Sequence, residues 1–249
     1  MRDVSLRFGG VIALDGVSFD VPTGAIVGLI GPNGAGKTTM FNAVTRLYRP
    51  QTGEIWYRST NLLTLAPHQI ARLRIARTFQ NLALFPSFSV RDNIRVGLHA
   101  ITKADVLSQG LRLPWVSREE KRAEATVNDV IDYLGLGAEA DRPAAGLPFG
   151  TLKRVELARA LVLGPKLLLL DEPAGGLNHE EVNALASLIR DIRTRFDVTI
   201  LLVEHHMGLV MGVSEKVVVL DFGKKIAEGT PEEIRDDPEV IRAYLGVEA

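Results

Sequence analysis

Residues 31 to 38 read G-P-N-G-A-G-K-T and match the pattern G-x-x-x-x-G-K-[ST], between an apolar run ending at Ile30 and helix-compatible sequence beginning near Lys37. Glycines let such a loop curl until successive N–H groups and the helix N-terminus converge on phosphate oxygens. Lys37 adds a positive charge, and the hydroxyl of Thr38 can ligate Mg²⁺. The alternative is a plain glycine-rich turn, which the strand and helix on either side disfavour. The motif therefore predicts binding of ATP or GTP.

Two adjacent carboxylates, Asp171 and Glu172, end the apolar run 167–170. Open α/β sheets bind their ligands at the carboxyl ends of strands, and adjacent strand residues point to opposite faces. Asp171 is thus placed to support Mg²⁺ through water, while Glu172 can aim at the water that attacks a γ-phosphate. On its own such a pair more often starts a solvated loop. Paired with the phosphate loop, it predicts a metal-side carboxylate and a catalytic carboxylate.

The strands and helices that must position these motifs follow from the hydrophobic pattern. Apolar runs predict buried strands, and a helical pattern predicts a helix at 180–195, with the runs lying at 25–30, 167–170, 198–203 and 216–220. This alternation predicts an α/β fold with a mostly parallel core sheet. Period-2 alternation at 4–8 and 17–21, around a Gly9-Gly10 turn, predicts an antiparallel β part at the N-terminus.

A helical subdomain is expected where the strand pattern disappears, over residues 83–155. Ser89 stands before an apolar helical segment, and Ser117 with a glutamate three residues later fits a capping box. The remaining segments, 1–82 and 156–249, are expected to form the nucleotide-binding core with its β subdomain.

The composition excludes several classes of protein. Lysines and arginines number 29 against 30 aspartates and glutamates, so tight nucleic-acid binding through counterion release is disfavoured. Because cysteine is absent, the sequence offers no disulfide, thiolate metal site or cysteine nucleophile. The apolar runs fall far short of the ~18 residues that a membrane span needs, and the first residues open no signal peptide. We therefore expect any work at a membrane to depend on partner subunits.

Motifs outside the phosphate loop resemble those of the ATP-binding cassette (ABC) ATPases, and the resemblance covers nearly the whole chain. Gln80, in R-T-F-Q-N, stands at the family's Q-loop glutamine, which contacts Mg²⁺ and the attacking water. Residues 147–151 stand at the L-S-G-G-Q signature, residues 174–178 resemble the D-loop, and His205 resembles the switch histidine. Phe8 resembles the aromatic residue that stacks on adenine. The order of these motifs along the chain matches that of the family.

The resemblance implies a P-loop NTPase that hydrolyses ATP with Mg²⁺ in a sandwich of two subunits. Implied nucleotide contacts are Phe8, Gly31, Asn33, Gly34, Ala35, Gly36, Lys37, Thr38 and Thr39, with Gly150 acting in trans from the facing subunit. Implied metal contacts are Thr38, Gln80 and Asp171, and implied catalytic residues are Glu172, His205 and Gln80.

Five positions depart from the family pattern. Pro148, Phe149 and Thr151 replace the serine, the first glycine and the glutamine of the signature. No hydroxyl at 148 reaches a γ-phosphate, so Gly150 and backbone N–H groups at the helix start must do more of that work. Asn178 replaces the D-loop aspartate, and a second histidine follows His205 where an aspartate is common.

Within the family, three features resemble the larger-type ATPase of bacterial branched-chain amino acid importers. They are the signature L-P-F-G, the Q-loop R-T-F-Q-N, and the tail from A-E-G-T-P-E-E-I at 227–234 to A-Y-L-G at 243–246. The resemblance implies a second ABC ATPase subunit in a homo- or heterodimer, transmembrane permease subunits contacted by residues 84–86, and indirectly a solute-binding protein. It implies a cytoplasmic location on the inner face of the cell membrane.

Other functions stay open at this point. An importer ATPase for another small solute has the same motifs, and a soluble ABC ATPase without transport is disfavoured by the neutral charge and the lack of long insertions. A P-loop kinase would need an acceptor-binding lid and no signature. A nucleotide-sensing module without turnover would not need Glu172.

Overall fold

The computed structural model describes residues 1–78, 82–102 and 114–245, with the side chains of 114–116 and 245 excepted. The chain divides into two units, one formed by Met1–Ile70 with Lys166–Ala249 and the other by Ala71–Pro165. The second unit is thus an insertion in the sequence of the first. The narrower limits of 83–155 stay a prediction.

The strands within the described ranges are β1 (Arg2–Phe8), β2 (Val11–Val17), β3 (Ile26–Ile30), β4 (Thr52–Glu54), β5 (Trp56–Tyr57), β6 (Thr60–Asn61), β7 (Ile75–Arg77), β8 (Leu167–Asp171), β9 (Thr199–Val203), β10 (Lys216–Asp221) and β11 (Lys224–Gly229). The helices are α1 (Lys37–Val44), α2 (Pro67–Ile70), α3 (Val90–Val96), α4 (Pro114–Tyr133), α5 (Phe149–Leu161), α6 (His179–Arg195), α7 (Met207–Val213), α8 (Pro231–Arg235) and α9 (Pro238–Leu245).

The core sheet of the first unit runs in the order β11-β10-β3-β9-β8. Strands β10, β3, β9 and β8 are parallel, and β11 pairs antiparallel with β10. All five residues of β3 and of β9 are buried, because a parallel sheet with covered faces needs apolar residues on both sides of each strand. The predicted α/β fold with a mostly parallel core is confirmed.

The register of the parallel strands brings their carboxyl ends together at one edge of the sheet. Val203 of β9 is the Cα partner of both Leu29 and Asp171. The loops that leave these strands begin at Gly31, Glu172 and Glu204. The sheet thus places the phosphate loop and the two adjacent carboxylates beside each other.

The N-terminal β region is antiparallel as predicted, with β1 pairing to β2 on one side and to β4 on the other. The predicted position of its second strand, 17–21, is wrong, since β2 begins at Val11 and ends at Val17. Gly9 adopts a positive φ of 57°, so the chain reverses within the Gly9-Gly10 turn and pairs at once, Phe8 against Val11. Phe19 is buried without belonging to a strand, and its burial explains the misleading alternation.

The second unit is rich in helix, with α3 packed against α4 and α5. Ser89 caps α3 as predicted, accepting a hydrogen bond from the Asp92 amide at 3.0 Å. The predicted capping box at Ser117 is wrong, because α4 already begins at Pro114, a residue suited to the first helical turn. Within the described ranges, no helix combines the length and apolar character needed to span a membrane.

Candidate active site

The phosphate loop leads from the end of β3 to α1, whose N-terminal cap is Gly36. Gly31 has φ 148°, and a Cβ there would lie 2.0 Å from the carbonyl oxygen of Leu220 in the neighbouring strand. The loop is held from the other side by the β10–β11 turn, where the Gly223 amide donates to the Ala35 carbonyl at 3.1 Å. Only glycine at position 31 permits so close an approach of two backbone segments.

Lys37 is the buried cation of this loop. Its Nζ donates to the carbonyl oxygens of Gly31 at 2.6 Å and Pro32 at 2.9 Å. Burial lowers the pKa of Lys37, and the negative charges of Glu172 and Asp171 oppose that shift. The ammonium is therefore close enough to both carboxylates for their charges to act on it, while its phosphate-binding role stays a prediction.

Asp171 is buried as the last residue of β8, whereas Glu172 starts the loop that follows. The Glu172 amide donates to the carbonyl of Val203 at 2.8 Å, which keeps the start of this loop against β9. Glu172 has a positive φ of 47°, a conformation that costs a non-glycine residue about 1–3 kcal/mol. Such strain persists only where neighbouring contacts enforce it.

His205 lies beside Glu172 at the end of β9. Its Nδ1 is 3.9 Å from Oε2 of Glu172, and its side chain is 60% exposed, so the ring is open to a ligand. The following residue, His206, caps α7 by accepting a hydrogen bond from the Leu209 amide at 3.2 Å. His206 thus acts as a helix N-cap, a role for which aspartate is also suited, at a position where the family pattern commonly has aspartate.

Asn178 also acts as a cap in place of an aspartate. Its side chain accepts a hydrogen bond from the Glu181 amide at 3.0 Å, and the Glu181 carboxylate accepts one from the Asn178 amide at 2.8 Å. This capping box fixes the start of α6 directly after the D-loop-like segment.

Phe8 is 45% exposed at the end of β1. Its ring meets that of Tyr48 edge to face, with centroids 4.9 Å apart. An exposed ring held from one side by a second ring is suited to stacking on a base, although its role as an adenine platform stays a prediction.

Gly150 lies in the second unit, in the first turn of α5, after the N-terminal cap Pro148. Pro148 makes no side-chain cap bond to this helix start, and the first N–H groups of a helix have no partner within the helix, so they suit an anion. Thr151, at the family's glutamine position, is buried, and its hydroxyl accepts a hydrogen bond from Arg154 at 3.4 Å. Gln80 lies outside the described residues, and its roles stay predictions.

Two residues of this site were missed by the sequence reasoning. The Gly31 amide hydrogen-bonds to the hydroxyl of Tyr244 in α9; burial raises the pKa of Tyr244 to about 12, and this bond opposes the rise. Glu204, next to His205, is a fully buried carboxylate. A glutamate after the five apolar residues of β9 was the available signal for Glu204, whereas no local pattern places Tyr244 near residue 31.

The first unit thus combines a backbone cradle, a buried ammonium and a carboxylate beside an exposed imidazole. The cradle and the ammonium suit a bound phosphate chain. The carboxylate suits a water molecule that must lose a proton. This combination is chemically equipped for hydrolysis of a nucleoside triphosphate.

Comparison with known proteins identifies close likenesses. The family model described as "ABC transporter" matches residues 14–175, and that described as "Branched-chain amino acid ATP-binding cassette transporter" matches residues 224–249. The branched-chain amino acid transport ATP-binding protein LivG of Salmonella typhimurium is 44% identical, over 99% of this chain and 96% of that protein. BraF of Pseudomonas aeruginosa, which is also described as a branched-chain amino acid transport ATP-binding protein, is 41% identical over 98% of this chain and 95% of that protein. A crystal structure of the ADP conformation of MJ1267, an ATP-binding cassette of an ABC transporter, matches with a TM-score of 0.85 and 28% sequence identity. The match covers 99% of this chain and 97% of that one.

Two glycine substitutions within the phosphate loop should differ in their effect on stability. We expect Gly31→Ala to cost about 3 kcal/mol, because its Cβ would meet the Leu220 carbonyl. Gly34→Ala, where a Cβ meets nothing within 4 Å at φ 83°, should cost only the backbone strain of about 1 kcal/mol. Urea unfolding of the nucleotide-free protein measures both, and equal losses would show that the loop is not packed as described.

Proposed function

This chain belongs to the ABC transporter family of ATP-binding cassettes, and we propose that it is the ATPase subunit that powers a branched-chain amino acid importer. ATP hydrolysis is the function of this family. The branch is supported by the likeness to LivG and BraF over nearly the full chain and by the second family match, over residues 224–249. The second match favours this function over a non-transport ABC ATPase or an importer of another solute.

The observation that carries the proposal is the charge arrangement around Lys37. A buried ammonium that donates to two neutral backbone carbonyls, with Glu172 and Asp171 nearby, is matched to a ligand that brings negative charge. The phosphate groups of ATP supply that charge. Binding would give the ammonium anionic partners, and the loop N–H groups would take the remaining phosphate oxygens.

Glu172 and His205 supply the chemistry beside the bound phosphates. The Glu172 carboxylate orients the attacking water and accepts its proton as the oxygen approaches phosphorus. His205, close to Glu172 and exposed, donates a hydrogen bond to the γ-phosphate and so stabilises the charge that develops there. Phe8 stacks on the adenine ring.

Mg²⁺ fits the oxygen donors that the site offers. Thr38 is exposed at the start of α1, and Asp171 is buried at the end of β8. Within the described ranges no cluster of three or more acidic or histidine side chains could hold a metal by itself. That donor set suits Mg²⁺, which is commonly held by one or two protein oxygens plus substrate phosphates and water. When bound through Thr38, Asp171 and Gln80, the ion would neutralise phosphate charge.

A second subunit completes the site in this proposal. The γ-phosphate meets Lys37 and Glu172 of one subunit and the α5 N-terminus with Gly150 of the partner subunit. Two ATP molecules then hold the two subunits together, and hydrolysis releases them. The resulting motion drives transport through permease subunits, which also hold the ATPase at the cytoplasmic face of the membrane.

The segment after Gln80 would transmit this motion to the permease. Phe85 and Phe88 are 46% and 44% exposed, and their rings stack at 5.0 Å between centroids. Exposed stacked rings suit a partner surface, which supports the proposed contact through residues 84–86.

Substitution of Glu172 by glutamine tests the hydrolytic role. Glu172→Gln keeps the shape but cannot accept a proton, so hydrolysis should fall by about 10²–10⁴ while ATP binding persists. ATP-bound dimers should then accumulate, seen as an earlier elution with ATP and Mg²⁺. The matched control is Glu180→Gln, an exposed glutamate at the start of α6, which should leave the rate unchanged. Hydrolysis by Glu172→Gln at the parent rate would show that Glu172 is not the base.

Uptake into reconstituted vesicles tests the proposed solute. Complexes purified with their permease and solute-binding subunits should accumulate labelled leucine when ATP is enclosed, and Glu172→Gln should abolish the accumulation. Leucine accumulation that is equal with and without ATP would contradict the importer assignment, even if the isolated chain hydrolyses ATP.

A further inference from the structure

Glu204 is fully buried and lies directly after β9. Its Oε1 accepts a hydrogen bond from the Ala174 amide at 2.8 Å. Its Oε2 accepts bonds from the amides of His205 at 2.7 Å and His206 at 2.9 Å. A buried carboxylate is costly unless its oxygens are bonded, and three N–H donors satisfy that requirement here. The side chain therefore joins two loops through a single carboxylate.

One of these loops carries Glu172, the proposed base. Ala174 follows it by two residues, and the Glu172 carbonyl accepts a hydrogen bond from the Gly175 amide at 3.2 Å. The bond from the Glu172 amide to Val203 holds the loop at its start, and the bond from Ala174 to Glu204 holds it two residues later. These two hydrogen bonds lie on either side of the Glu172 backbone and hold it in its strained conformation with positive φ.

The other loop carries the imidazole that faces Glu172. Glu204 fixes the amide of His205 directly, and Oε2 of Glu204 lies 3.6 Å from Nδ1 of the same residue. The same Nδ1 atom lies 3.9 Å from Oε2 of Glu172, so one ring nitrogen has two carboxylates within 4 Å. One side chain thus sets both the backbone and the surroundings of the exposed imidazole.

We propose that Glu204 is a positioning residue for ATP hydrolysis, which holds the base Glu172 and the histidine His205 in one fixed arrangement. Its carboxylate binds backbone amides of residues 174, 205 and 206 and so acts through the two loops that it joins. The inference rests on the proposed roles of Glu172 and His205. It adds that these two residues are set by a shared buried carboxylate and do not adjust independently.

Glu204→Gln tests the inference because it preserves size and removes acceptor capacity. An amide offers one acceptor oxygen and an NH₂ group that cannot accept, so one of the two loops must lose its bonds. We expect single-turnover hydrolysis to fall by about 10²-fold, since misplacement of a reacting group by about 1 Å has that effect. Binding of fluorescent ADP should stay at the parent affinity, because the hydrogen bonds of Glu204 go to the amides of residues 174, 205 and 206, which lie outside the phosphate loop.

A matched control and a second variant separate positioning from general damage. Glu228→Gln alters a glutamate of β11 that likewise has charged-group partners, Lys216 and Lys225, and it should leave hydrolysis unchanged. Glu204→Asp keeps both oxygens but withdraws them by one methylene, so its hydrolysis rate should lie between those of the parent and Glu204→Gln. Failure of both Glu204 variants to fold would overturn the inference, because the residue would then be structural.

A double substitution distinguishes this inference from the proposed function. If Glu204 acts by placing the base as well as His205, Glu204→Gln should lower the rate by a smaller factor in the Glu172→Gln background than in the parent, because the loss that passes through the base is already complete. An equal fold-loss in the parent and Glu172→Gln backgrounds, or an unchanged rate in Glu204→Gln alone, would overturn the positioning role. If Glu172→Gln itself hydrolyses ATP at the parent rate, the proposed role of Glu172 as the base fails instead, whatever Glu204→Gln does.

Discussion

A buried positive charge organises the candidate site. The ammonium of Lys37 is removed from water and satisfied by the carbonyls of Gly31 and Pro32, two neutral acceptors. A buried cation is costly without an opposite charge, and the cost appears here as a lowered pKa. Glu172 and Asp171 compensate part of the charge. A bound triphosphate would supply more, so the loop is built for an anionic ligand.

The parallel sheet is what allows one lysine to meet these carboxylates. Lys37 follows β3, Glu172 follows β8, and the strand between them, β9, delivers His205 to the same edge. The segment from 220 to 244 packs against the phosphate loop. The Leu220 carbonyl and the hydroxyl of Tyr244 approach Gly31, and the Gly223 amide donates to the carbonyl of Ala35. The C-terminal segment is thus part of the packing that holds the phosphate loop in place.

Local patterns predicted those parts of the fold and site that depend on local chemistry. The phosphate loop, the Asp171-Glu172 pair and the parallel strands are contiguous motifs with a fixed period, so sequence alone locates them. Strand β2 and the start of α4 were misplaced, because the alternation around Phe19 reflects burial outside a strand and Pro114 starts its helix before the Ser117 signal. The bond of Glu204 to Ala174 and the approach of Tyr244 to Gly31 join residues distant in sequence, which no periodic pattern encodes, so both contributions were missed.

In the proposed sandwich, Lys37 and Gly150 act on one nucleotide from two different subunits, and a mixing experiment tests this arrangement most directly. Lys37→Ala removes the ammonium, and Gly150→Asp places a negative charge at the start of α5. Each variant alone should be inactive, whereas a mixed dimer retains one site with an intact phosphate loop and an intact α5 N-terminus. We predict that mixing the two inactive proteins restores ATP hydrolysis. A mixture that stays as inactive as its parents, with mixed dimers confirmed by differential tagging, would contradict the account.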